Sequence, residues 1–264
     1  MLAIARRYQR LSLRREAAFA VAGIALAIHF ATWIASLSFT SVAVATLLVT
    51  TTPLWTELYD IVRERRPPSF TYIISLILAF AGVSALALAR TPTPPPVAGH
   101  ALLGDALALI GSIAIGAYLL IVRDAARNDG VVLGTRQIVA RTYGWAALAL
   151  VLGAGFAHEG PPALGDGTAW GGILAMAFIS QLLGHTAFNA ALRDFSPTVI
   201  SMATLLEPVV AALLAAALFR EALSFQAIIG GALVLAAVAV TLRNVRANGS
   251  DGKRVRTVGA EQEL

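Results

Sequence analysis

Glu207 is an ionisable side chain inside an apolar run, TLLEPVVAALLAAALF, and a proline follows it. A charge at the centre of a membrane helix costs about 2.5–3.5 kcal/mol on insertion scales, so such a group normally faces a cavity or a partner. Glu207 is therefore a candidate proton carrier; a structural acid at a helix kink is the other reading. Pro208 removes a backbone hydrogen bond and frees a carbonyl to line a cavity. His185 and Asn189 stand four residues apart and Gln181 four before His185, so the three share one helical face. That stripe contacts either a solute or neighbouring helices. His29 and Trp33 repeat the four-residue spacing. Tyr118 and Ser112 would line a cavity or simply pack. Arg141, about two turns inside an apolar run, would snorkel to the surface or pair with an acid across the bundle. Asp105 follows Gly104 near the start of another run, where an acid suits a helix N-terminus.

Other chemistries are missing from the chain. There is no cysteine, which excludes disulfides and thiolate metal sites. No H-E-x-x-H pair and no Walker A loop occurs, and His29, His100, His158 and His185 are too scattered for a metal cluster. Neither a metal nor a cofactor is expected, and any coupling would draw on an ion gradient or the solute's own gradient.

These residues need a frame, and composition supplies it. The 264 residues are 58% hydrophobic and 13% charged, with mean hydropathy +0.75. A soluble domain carries about 25% charge. The apolar residues arrive in runs near the length that crosses a hydrocarbon core of about 30 Å. They do not alternate with polar residues, which excludes a membrane barrel. An all-α polytopic membrane protein follows, with eight spans at about 17–38, 42–62, 70–89, 101–122, 135–156, 169–192, 197–218 and 225–242. Residues 1–16 form a basic arm, Arg90 to His100 a Pro-rich linker, and 243–264 a polar tail expected to be irregular.

Eight spans put both termini on one side. Of the 20 basic residues, 17 fall on that side; Arg90 and Arg220 fall opposite and Arg141 lies within a span. The excess marks the cytoplasmic face, so both termini are expected there, in a bacterial-type inner membrane. The same distribution explains the net charge of +5 without nucleic acid as a partner.

The stretch Phe195 to Leu242 repeats Thr40 to Ala87, just after Phe39, at an offset of 155. Pro53 falls on Pro208, Ser69-Phe70 on Ser224-Phe225, Ile73-Ile74 on Ile228-Ile229, and Ala81 on Ala236. Thr52 takes the place of Glu207, so the acid is not duplicated. An internal repeat controls the fold. Copies five spans apart enter the bilayer upside down, an arrangement characteristic of transporters with a midplane site. Gly171, Gly172, Gly230 and Gly231 suit close helix packing.

The stretch GHTAFNAALRDFSPTVISMATLLEPVVAALLAAALFREALSFQAIIGGALVLAAVAVTL resembles the last three helices of an EamA domain of the drug/metabolite transporter superfamily. HFATWIASLSFTSVAVATLLVTTTPLW is similar to helices three and four of such proteins, and LLGDALALIGSIAIGAYLLIVRD to the opening helix of the second domain. ARTYGWAALALVL is similar to the next helix, with Arg141 on the family's usual arginine. The resemblance implies ten helices in two repeats of five. Here 17–89 would hold three helices of the first repeat and 101–242 all five of the second. The first two family helices, which help wall the central cavity, are expected to be missing. Three explanations stay open: a misassigned start, a degraded copy, or a short form that completes its cavity by pairing as a homodimer. The resemblance implies transport of a small metabolite, amino acid or drug-like solute by alternating access, with protons as a candidate partner at Glu207. A non-transporting membrane protein and an intramembrane enzyme are the competing classes.

Overall fold

The computed structural model describes residues 10–65, 67–89, 99–127, 133–219 and 223–261, and every regular element among them is helical. In chain order they are α1 Leu13–Ser36, α2 Val42–Val49, α3 Thr52–Glu64, α4 Phe70–Leu88, α5 Ala101–Arg127 and α6 Thr135–Phe156. Next come α7 Gly167–Ala175, a π-helical segment Met176–His185, α8 Thr186–Ala191, α9 Pro197–Thr204, α10 Glu207–Phe219 and α11 Phe225–Glu261. Among the described residues, seven stretches are long and apolar enough to cross a membrane. The remaining expected span, the second at 42–62, is a pair of shorter helices, α2 and α3, broken at Thr50–Thr51.

The break has a physical cause. Pro53 has no N–H to donate to Val49, and the Thr52 hydroxyl donates to that carbonyl instead, at 3.0 Å. The Thr50 and Thr51 hydroxyls bond back to Leu47 and Leu48 at 2.9 and 2.7 Å. Hydroxyls that bond the preceding turn bend helices. The other proline does the same: α9 ends at Thr204, Leu205–Leu206 form a turn, and α10 starts at Glu207. The two breaks are themselves 155 residues apart.

Helix starts repeat as well. Ser41 accepts from Val44 N–H at 3.2 Å and Ser196 from Val199 N–H at 3.3 Å. Ser69 accepts from Tyr72 N–H and Ser224 from Ala227 N–H, both at 3.1 Å. Each pair is separated by 155, so the copies preserve their caps where the intervening side chains have drifted.

Helices α4 and α11 give the clearest view of the inversion. The buried residues of α4 are Ser75, Ala79, Gly82, Val83 and Leu86. Adding 155 gives Gly230, Val234, Ala237, Val238 and Thr241, all buried on α11. The two faces pack on each other. A Cβ on Gly82 would lie 2.7 Å from the Gly230 carbonyl and 2.8 Å from Val234, while one on Gly230 would meet Leu86. Residue numbers rise on one helix as they fall on the other, so equivalent faces of the two copies meet antiparallel. Only glycine permits backbones this close.

The second packing unit is α1 against α5 and α6. Phe19, Leu26, Tyr118, Leu119 and Ile138 fill its core. Gly23 lets α1 touch α6, where a Cβ would meet Trp145 and the Thr142 carbonyl within 2.6 Å.

Several expectations change. Gly171 and Gly172 face open space, so they make no close packing, whereas Gly230 does. The sixth span is not a plain α-helix but carries ten π-helical residues. The tail from 243 is not irregular: α11 continues to Glu261, and no proline between them stops it. The first helix begins at Leu13, inside the arm assigned to 1–16. Arg6, Arg7, linker residues 90–98 and Arg220 to Ala222 lie outside the described residues.

Candidate functional site

Six of the residues singled out by type and spacing come together. His29 on α1 stacks on Trp33 one turn along, ring centroids 6.1 Å apart and planes within 5°. Phe30 lies 5.2 Å from it, and His185, the last residue of the π segment, lies 6.4 Å away. Phe30 and Phe188 close on His185 edge-on at 5.2 and 5.8 Å. Five rings from two distant stretches thus make one aromatic patch. The geometry fixes a tautomer: His29 Nδ1 lies 2.9 Å from the Gly111 carbonyl, so that nitrogen carries a proton and donates.

Asn189 sits one turn beyond His185 and is fully buried. Its Nδ2 donates to the Tyr118 hydroxyl at 2.5 Å, to the His185 carbonyl at 2.9 Å and to the Tyr143 hydroxyl at 3.4 Å. Tyr143 also reaches the Gln181 carbonyl and the Thr186 hydroxyl, both at 3.4 Å. Part of the predicted stripe is therefore glue between α5, α6 and α8. Part is not. Trp33 Nε1, Gln181 Oε1, His185 Nδ1 and Asn189 Oδ1 are buried and make no hydrogen bond. An unmade bond of this kind costs about 1–3 kcal/mol, and native folds keep few of them. Four on neighbouring side chains mark a place where water or a ligand completes the set. The π segment supplies two of the four. A π turn widens the helix and leaves carbonyls and side chains off the regular register, as at many functional sites.

A second knot adjoins the first along α5. Ser112 follows Gly111, and its hydroxyl meets Thr51 at 2.9 Å, Thr52 at 3.2 Å and the Trp55 indole N–H at 3.2 Å. It ties the break of the first repeat to α5. Thr52, predicted as a contact residue, is thus 3% exposed and held within this knot. Deeper along α3, Thr56 meets Ser201 of α9 at 3.1 Å.

Glu207 stands apart. It opens α10 with an exposed side chain and no hydrogen bond or ion pair, and α10 packs mainly on α4 and α11. The structure does not join it to the aromatic patch. Pro53 lies at the second position of α3, with Tyr72 donating to its carbonyl at 2.7 Å. Pro208 holds the matching position in α10. Arg141 does not snorkel: it is buried and pairs with Glu16 at 2.9 Å. Asp105 lies beyond the first turn of α5, so it caps nothing, and its Oδ1 is buried without a partner.

A polar network at the arginine-rich end escaped the sequence reading. Arg123 bridges Asp60 of α3 at 3.1 Å and Asp124 at 2.9 Å. Arg63 pairs with Asp124, and the Thr198 hydroxyl of α9 donates to Asp60 at 3.4 Å. The signal was present: Thr52, Thr56 and Asp60 follow a helical stripe toward the end of the second span. Among the described residues, the opposite end of the bundle has no ion pair.

The family model that matches residues 102–243 is described as the EamA-like transporter family. A solved crystal structure of a protein shares the fold with TM-score 0.70 at 18% identity, over 90% of this chain and 78% of that one. No curated protein matches the chain.

Proposed function

The chain belongs to the EamA-like transporter family, and from that premise we infer a secondary carrier that moves a small solute by alternating access. The observation that carries the mechanism is the pair of broken helices, α2–α3 and α9–α10, at one offset in antiparallel copies. Unwound turns within otherwise spanning helices expose backbone and side-chain polar groups at mid-depth, where inverted-repeat carriers hold their cargo. The aromatic patch with its four partnerless polar atoms is the proposed solute site. The Arg123 network, with Thr56 and Ser201, is the proposed closed gate, and the opposite end the open one. The arginine excess supports a closed end facing the cytoplasm of a bacterial-type inner membrane, with both termini on that side. Glu207 is the proposed proton carrier; its isolation from other side chains supports a group that exchanges with water.

Reconstituted protein in liposomes preloaded with a metabolite and amino acid mixture should show saturable exchange of at least one labelled component. Asn189→Ala should abolish that exchange while leaving folding by circular dichroism intact. Exchange indifferent to Asn189, Trp33 and His185 would remove the solute from this patch.

A further inference from the structure

Whatever solute is carried, we propose that the outer face of the sixth span is a docking surface for a second copy of this chain. That span, α7 with the π segment and α8, is the repeat partner of α1. Adding 155 to Leu13–Ser36 gives 168–191, and Gly167–Ala191 is one continuous helical stretch. Both end alike: Leu37 and Leu192 each lead through a turn to the capping serines Ser41 and Ser196. Their surroundings differ. α1 is gripped by α5 and α6, while α7 and the π segment pack chiefly on one another. Phe19 and Ala22 are fully buried on α1, but their counterparts Leu174 and Ala177 are exposed, as is every residue from 171 to 180. No residue in the most apolar window of this span is buried, against 22–56% in the other six. Among the described residues, nothing stands to this span as α5 and α6 stand to α1.

An apolar face against lipid needs no partner, so exposure alone does not decide. The glycines add a second observation. Among the described residues, every glycine within α1, α4 and α5 has a neighbouring helix within 4 Å. Those within α6 and α7, including Gly144, Gly153, Gly155, Gly171 and Gly172, have nothing within 4 Å. Glycine weakens a helix interior, and in membranes small residues gather where another helix comes close. Glycines that touch nothing are thus confined to two spans that follow each other in sequence. Those two are also the least buried of the seven, α6 at 22% and Gly167–Ala191 at 0%.

A second copy supplies the missing cover with its own α6–α7 hairpin, and helix direction selects this pairing. Successive spans alternate, so α1 runs antiparallel to α5 and parallel to α6. The contacts agree: Arg15 at the start of α1 meets Ala125 at the end of α5, and Glu16 meets Arg141 in the first half of α6. A two-fold axis along the membrane normal preserves every direction. The partner's α6 then runs antiparallel to α7, and the partner's α7 runs parallel to it, the same combination that encloses α1. Each copy offers the same hairpin, so the contact closes at two chains. The stretches outside the described residues are nine residues long at most, whereas a span needs about 20, so none of them can cover the face. The contact also bears on the site. Gln181 and His185 belong to the π segment, so one wall of the aromatic patch rests on a span that only the partner copy backs.

The test uses the full chain in lipid vesicles, with single cysteines placed on a sequence that has none. Oxidation with copper phenanthroline should link two copies through Leu174→Cys or Phe178→Cys. Ile77→Cys on α4, 63% exposed but on the other packing unit, should stay unlinked. The pair Gly153→Leu with Gly172→Leu should weaken association by roughly tenfold or more, read as energy transfer between tagged copies on dilution with lipid. Leucine is the informative replacement, because alanine still permits close approach. Unfolding of the separated copies should be unchanged, since both positions face open space within one chain. Should the leucine variant fail to fold, the cysteine variants still decide. No link at either Leu174 or Phe178, a link at Ile77 in their place, or association indifferent to the leucines overturns the proposal. Linkage of Leu174→Cys to a different membrane protein overturns it too, since the occupant would then be another chain.

Discussion

Asp60→Asn should release the arginine-rich end. The network holds three elements, α3, α5 and α9, and its members are not equal. Arg63 and Asp124 have side chains 53% and 41% exposed, so solvent screens their pair and it adds little. Arg123 and Asp60 are 14% and 6% exposed at 3.1 Å, and this contact dominates. Removing one partner of a fully buried pair costs about 3–5 kcal/mol. Here the substituted amide would keep a carbonyl acceptor for Arg123, and Asp124 stays at 2.9 Å, so a loss of about 1–3 kcal/mol is more apt for one charged hydrogen bond. At about 1.4 kcal/mol per decade that opens the end roughly five- to 150-fold more often. The chain has no cysteine, so a single Ser201→Cys reports cleanly from a fully buried position on the α3–α9 contact. Its maleimide labelling rate should rise by that factor in Asp60→Asn. The exchanged pair Asp60→Arg with Arg123→Asp should bring it partway back. Unchanged labelling in Asp60→Asn would show that the network does not hold this end shut.

Glu207→Gln should abolish flux driven by a pH gradient and leave membrane insertion intact; flux that persists removes Glu207 from coupling. Gly82→Ala adds a methyl 2.7 Å from a backbone carbonyl that cannot yield, so it should lower detergent stability by about 1–3 kcal/mol. Gly171→Ala, in open space, should be neutral or stabilising, because alanine favours a helix by up to about 1 kcal/mol. A matched loss at both sites in thermal unfolding would contradict the packing. Ser41→Ala and Ser196→Ala should each cost about 1 kcal/mol, since each removes one helix cap of the same kind; grossly unequal losses would mean the two caps are not equivalent.

The repeat was legible in sequence because it rests on prolines, capping serines and small residues, whose roles are local. Ser69 and Ser224 start helices whatever surrounds them, and Pro53 and Pro208 break them. The gathering of His29, Trp33, His185 and Asn189 was half legible. Four-residue spacing named each pair, but not that residues 29 and 185 would meet. The π segment was not legible, since nothing local in MAFISQLLGH departs from an ordinary helix. The Arg123 network was missed because Asp60, Arg63 and Asp124 sit near expected span ends, where charges are normally solvated. Their pairing depends on which helices adjoin, a tertiary fact. Asp105 was misread for the converse reason: α5 starts at Ala101, placing the acid one turn too deep to cap.

The two breaks share geometry but not chemistry, and under the proposed carrier mechanism this difference makes its two end states unequal. In the first copy Thr52 covers the carbonyl that Pro53 orphans, and Ser112 binds Thr51 and Thr52 against α5. That break is sealed with neutral hydroxyls. In the second copy the aligned residue is Glu207, an acid without a partner, on a helix that touches little beyond α4 and α11. A strictly symmetric pair of copies would make the two end states equal in energy. With Glu207 as the proposed proton carrier, an acid in only one copy would make one state sensitive to protonation while the sealed copy stays indifferent. Moving the acid to the sealed copy, by Thr52→Glu with Glu207→Thr, should therefore not restore function: the Ser112 knot would bury a carboxylate in place of a hydroxyl, and the variant should lose stability rather than reverse its coupling.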